Sequence, residues 1–158
     1  MPLINDLYEG GFSSSNPFSA RHLRFSINCL VSLRDLYRNE DELVSKYGRH
    51  LLSRLKSAPS LAQYTAKFIR AFPEPRLAFP IEEFIFGKHN IYQWQEMWLL
   101  DALISLPKGA LSSRGLNQVL TRALSRDLHG LVRAKAMIVV GRHGDETHRH
   151  RLATTFND

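Results

Sequence analysis

Residues 126–145 read RDLHGLVRAKAMIVVGRHGD, and the fold turns on whether this stretch walls an active site or forms one brick in a stack of helices. The helix it contains is apolar nearly all round, so neighbours must cover it on more than one side. The stretch IYQWQEMWLLDALISL (91–106) has the same character. Residues 113–126 differ: Leu116, Val119, Leu120, Ala123 and Leu124 follow the i, i+3, i+4, i+7, i+8 rule, which gives one apolar face and an outer position. Sandwiched rods alternating with half-polar ones are what a stack of antiparallel helix pairs requires. The expected class is all-α, an α-solenoid of stacked antiparallel helix pairs with about seven or eight helices.

The rest of the chain fits that pattern. A first helix is predicted over 19–37, with Leu23, Ile27, Leu30 and Tyr37 on one face. A second opens at NEDE, where Asn39 can cap and Glu42 follows three residues on; its apolar row is Leu43, Tyr47, Leu51 and Leu55. A third, over 59–72, presents Leu61, Thr65, Phe68 and Phe72. A short fourth covers 80–86, with a proline in its first turn and Gly87 at its end. The last helix covers 146–156. Residues 1–18, which include EGGFSSSN, read as a flexible lead-in or a junction, and 19–158 as one helical repeat domain.

The quoted stretch and its continuation, RDLHGLVRAKAMIVVGRHGDETHRHRL, resemble the HEAT-type repeat through Asp127, Val132, Arg133, Ala134, Ala136, Gly141, Gly144 and Asp145. What the resemblance implies is structural. Asp127 and Arg133 tie the turn to the helix, the alanines let it pack closely, and Gly141 and Asp145 mark the next turn. Over residues 17–156, the order NPFSARHLRFSINCLVSLRD, a helix pair ending at a proline break, IYQWQEMWLLDAL and the HEAT-like unit is similar to the helical C-terminal region of bacterial defence-associated reverse transcriptases of the abortive-infection type. That resemblance implies a parent RNA-directed DNA polymerase with this segment as a non-catalytic accessory domain. The chain itself has no aromatic-x-Asp-Asp motif and no paired carboxylates to hold two metal ions.

Other chemistries find little footing. His143, His148 and His150 with Asp145 and Glu146 include metal-ligand types, but His148 and His150 are two apart on a helix and diverge. Trp94 and Trp98 with Asp101 make an aromatic wall beside an acid, as in HEAT-like DNA glycosylases, a minor alternative that core packing explains more simply. No Gly-x-Ser-x-Gly elbow, phosphate loop or dinucleotide fingerprint occurs. No catalytic residue, metal or cofactor is expected. The single cysteine, Cys29, forms no intrachain disulfide and suits a reducing cytoplasm. The start, MPLINDLYEGGF, lacks a secretory pattern, and the longest apolar runs fall far short of the roughly 20 residues of a membrane span. A soluble, cytoplasmic protein is expected.

Charge supplies the strongest functional hint. The chain carries 21 basic and 15 acidic residues, a net +6. Residues 80–101 hold Glu82, Glu83, Glu96 and Asp101 against Lys88, whereas 108–158 hold nine Lys and Arg against four acids. Arg114, Gln118, Arg122 and Arg126 recur every four residues as one ridge, which Arg142, Arg149 and Arg151 extend; Arg21, His22 and Arg24 form a smaller cluster. Such a ridge attracts phosphates without sequence preference, or simply keeps a helix solvated. The expected partners are RNA or DNA, a polymerase domain, or another copy of the chain. The alternative is a free-standing HEAT-like adaptor that binds a protein in its groove.

Overall fold

Proline and glycine interrupt a chain that otherwise favours helix, and four of the described helices end within two residues of one. The computed structural model describes residues 19–37, 39–88 and 90–156. Among these the chain is all-α, with nine α-helices, two single 3₁₀ turns and no strand. The helices are α1 (Ser19–Ser32), α2 (Arg34–Tyr37), α3 (Asp41–Arg54), α4 (Ala62–Ala71), α5 (Ala78–Phe86), α6 (Gln93–Ser105), α7 (Ser113–Leu124), α8 (Gly130–His143) and α9 (Glu146–Phe156). The turns Pro59–Leu61 and Pro75–Leu77 lead into α4 and α5. Each opens on a proline, whose missing N–H costs no helical hydrogen bond at that position.

The predicted boundaries hold with local exceptions. The helix expected over 19–37 breaks at Leu33, beside Ser32, whose hydroxyl donates to the Asn28 carbonyl at 2.9 Å. A hydroxyl that bonds back along the helix competes with the backbone and bends it. The expected cap at Asn39 is not made: α3 begins one residue later, with Glu40 at its N-cap and no side-chain bond. Glu42 turns to Arg76 instead, at 2.8 Å. The lead-in over 1–18 and the side chains of Arg21, His22, Leu23 and Tyr37 lie outside the described residues.

Packing follows alternate helices. α1 packs on α4, α4 on α6 and α6 on α8; α3 packs on α5, α5 on α7 and α7 on α9. Cross-packing joins the two rows, most intimately between α7 and α8. The predicted faces point inward: Ile27 and Leu30, then Tyr47, Leu51 and Leu55, then Leu61, Thr65, Phe68 and Phe72 are all buried. The Tyr47, Phe68 and Phe72 rings follow one another at 5.0 Å spacing. Each fully buried Leu, Ile or Phe contributes about 1.5–3 kcal/mol relative to exposure. α7 buries Val119, Leu120 and Ala123 on its single face, as its sequence predicts.

α6 packs on α4, α5 and α8, and α8 packs on α6, α7 and α9, but only α6 lies inside its row. α6 has a row neighbour on either side, α4 and α8, whereas α8 has only α6. Leu131 and Ile138, seven residues apart on one stripe of α8, are therefore 55% and 50% exposed.

Candidate nucleic-acid interface

The acids of residues 80–101 do not form a solvated patch: Glu82, Glu96 and Asp101 are buried, and each is bound. From α5, Glu82 accepts from the Ser112 backbone N–H at 2.9 Å and from the Ser112 hydroxyl at 2.6 Å. Ser112 Oγ in turn accepts from the Gly115 N–H at 2.9 Å, which caps α7. A Cβ on Gly115 would run into the Glu82 carboxyl, so glycine is required for this close approach. From α6, Glu96 meets Arg122 of α7 at 2.8 Å; Arg122 also lies over the Phe86 ring, 5.7 Å from its centroid. Burial holds the Glu96 carboxyl above the ordinary carboxylate range despite the Arg122 charge and hydrogen bond. Desolvation therefore outweighs the pairing.

Asp101 sits at the centre of a polar seam that crosses the α1–α4–α6–α8 row. Its Oδ1 accepts from Lys135 Nζ of α8 at 2.5 Å, and its Oδ2 faces Arg70 of α4 at 3.3 Å. One turn before Arg70, Lys67 donates to Asn28 Oδ1 of α1 at 2.8 Å. Two turns beyond Lys135, Arg142 donates to the Leu106 carbonyl at 3.4 Å. Four cations thus stand along the seam against one carboxylate, and Lys67, Arg70 and Arg142 are exposed. Trp98 and Trp94 precede Asp101 on the same stripe of α6; Trp98 is partly buried and Trp94 is 43% exposed. Cations beside a stripe that carries aromatic rings suit a single strand, whose phosphates and bases need both.

The residues expected in the basic ridge divide into two groups. Arg114 on α7, Arg126 in the following loop and Arg151 on α9 are exposed, and no protein group engages their guanidinium groups among the described residues. Arg122, Arg142 and Arg149 are tied to Glu96, the Leu106 carbonyl and the Gly144 carbonyl respectively. The periodic ridge is continuous only from Arg114 to Arg122, because α7 ends at Leu124. In the smaller N-terminal cluster, Arg24 donates to Ser60 Oγ at 2.6 Å and lies over the Tyr64 ring.

The repeat residues also part company. Among the described residues no hydrogen bond or ion pair engages Asp127, and Arg133 is half-buried with no acceptor for its Nε. The turn is instead tied by His129, whose Nδ1 accepts from the Leu131 N–H at 3.2 Å and whose own N–H reaches Gln93 Oε1 at 2.7 Å. Gly141 is exposed, with open space where a Cβ would stand. Gly144 has none, since a Cβ there would meet the Val140 carbonyl and His148 Cβ. Asp145 caps α9: its Oδ1 takes the His148 N–H at 3.0 Å and lies 2.6 Å from His148 Nδ1, bonds that hold its carboxyl below the usual range.

His143 is buried against the Leu103 carbonyl at 2.8 Å, away from the Asp145–His148 pair. No three His, Cys, Asp or Glu side chains converge as metal ligands among the described residues. Both Asp101 oxygens are engaged by cations, so this acid does not project free beside the tryptophans. Among the described residues no helix is long and apolar enough to cross a membrane.

Sequence reasoning missed Lys67, Arg70 and Lys135. Lys135 stands inside the opening stretch, but its partnership with an acid 34 residues away has no local signature. Fold and site together define an all-α protein with alternate helices packed in rows and a basic, aromatic-lined seam across one row. No family model, curated protein or solved structure matches the chain.

Proposed function

We propose that this chain is a non-catalytic helical domain that contacts single-stranded nucleic acid, as the accessory domain of a defence-associated reverse transcriptase. The observation that carries the nucleic-acid contact is the convergence of Arg70 and Lys135 on one carboxylate, flanked by Lys67 and Arg142. Two cations sharing one acid keep a net positive charge, and a phosphate oxygen is an acceptor of the same kind. Support for the polymerase parent is the resemblance of residues 17–156, with its helix order and HEAT-like unit. A stacked-helix accessory domain would guide template or nascent strand past a catalytic centre carried elsewhere in the parent.

Fluorescence anisotropy with single-stranded RNA and DNA at stepped salt tests the contact. Binding is expected to weaken as salt rises, with a log–log slope of about −0.7 for each phosphate neutralised. The double variant Lys67→Glu, Arg142→Glu should flatten that slope by about 1.4. Arg114→Glu and Arg126→Glu probe the α7 ridge without touching the Glu96 ion pair. Salt-insensitive binding, or none, would sink the reading. Exposed Leu131, Ile138 and Trp94 favour the second reading, an adaptor for a protein partner. In that case the charge reversals would be silent and Leu131→Glu would abolish partner binding.

A further inference from the structure

At the end of the seam, between the starts of α6 and α8, lies a cavity of about 620 Å³. Trp94 and Met97 line it from α6, Leu131 and Val132 from α8, and Asp127 and Leu128 from the loop between α7 and α8. Its size and largely apolar lining fall within the range of small-ligand sites. Trp94 is already held parallel to Tyr92, with ring centroids 5.8 Å apart and planes 13° from parallel, so an aromatic surface is preset at the cavity.

Two further observations indicate the occupant. Among the described residues the exposed Asp127 has no partner, so its carboxylate stands at the cavity rim as a free acceptor for N–H donors. Next to it, Arg126 is exposed and likewise has no partner. A flat ring that offers two adjacent N–H donors and carries a phosphate meets all three groups. Among the four RNA bases only guanine has that edge, through N1–H and the N2 amino group. Adenine and cytosine each set a single amino donor beside ring acceptors, and uracil offers a single N–H between two carbonyls.

We propose that this cavity binds an unpaired guanine of the contacted strand, stacked on Trp94, with the Asp127 carboxylate accepting its two N–H donors and Arg126 facing its phosphate. The proposal rests on the strand-binding reading above and deepens it, giving a sequence-neutral track one base-selective end.

The test titrates the full chain with guanosine, adenosine, cytidine and uridine monophosphates, following tryptophan fluorescence and, in parallel, calorimetric heat. Guanosine monophosphate is expected to bind tightest, by about tenfold or more, a preference that Asp127→Asn removes. Trp94→Ala is expected to weaken it roughly 5- to 100-fold. Trp94 is half-exposed, so circular dichroism of that variant should match the parent. Equal binding of all four nucleotides, or a guanine preference that survives Asp127→Asn, overturns the proposal. Self-association that Leu131→Glu abolishes, without nucleotide binding, also overturns it, because a second copy then fills the cavity. The two readings fail separately. Salt-dependent strand binding without guanine preference removes the cavity proposal alone, whereas guanine-selective nucleotide binding without strand binding removes the seam reading and, with it, the strand as the source of the guanine.

Discussion

Two glycines of this chain carry opposite burdens, and substitution separates them. Gly141 sits in an exposed part of α8 with nothing near its missing Cβ, so Gly141→Ala should stabilise the fold by about 0.5–1 kcal/mol. Gly115→Ala should destabilise it by about 1–3 kcal/mol, because the new methyl displaces the Glu82 carboxyl that holds Ser112. Thermal unfolding of both variants checks the pair; the reverse order would show that Gly141 does packing work here. The Glu96–Arg122 bond makes a second residue-scale point. Glu96 is 4% exposed in its side chain and Arg122 35%. Arg122→Met leaves a buried carboxylate alone and should cost about 2–4 kcal/mol, whereas adding Glu96→Gln should restore most of the loss. Urea denaturation of the two variants measures the difference.

Helix ends show how local and distant partners compete. At α9, Asp145 does what its position suggests: an acid before a helix takes the His148 N–H and favours the positive helix start. Asp145→Ala should loosen the start of α9 and speed amide exchange in its first turn with little effect on α4, as hydrogen-exchange mass spectrometry would resolve. At α3 the equivalent expectation fails, because Arg76 draws Glu42 away from the helix start. At α7 the cap works through a residue 30 positions earlier, since Glu82 holds Ser112 in place. Apolar spacing predicted the buried faces of α3, α4 and α7, and Ile27 and Leu30 of α1. Polar partners were not predictable in the same way, because hydrogen bonds between helices leave no periodicity along the chain.

Across the whole molecule, burial sets a pH limit. His50 is driven down to about 4 by burial and by the Arg54 charge. His143 is lowered too, with burial and the Arg142 charge outweighing its bond to Leu103. Folded-state values below the unfolded imidazole value of about 6.5 mean that the unfolded chain binds more protons in that interval. Stability should therefore rise with pH from about 4 to 6.5 and fall on acidification, with His50 as the largest resolved source. Chemical denaturation at stepped pH should give a shallower slope between pH 5 and 6.5 for His50→Gln. A slope unchanged by that variant would remove His50 as a source.

The amino-acid sequence by itself determined that this chain is helical, where nearly all its helices lie, and which face of each amphipathic helix turns inward. Those properties depend on neighbours within a few residues, and helical periodicity writes them into local order. Only the tertiary structure decided which charges are free. It gave Arg122 to Glu96, set Arg70 and Lys135 on Asp101, left Asp127 without a partner among the described residues, and exposed Leu131 and Ile138 where the helix row ends. The reason is range. A charge acts on whatever group folding brings within a few ångströms, and neither its partner nor the last helix in a row is encoded in the spacing of nearby residues.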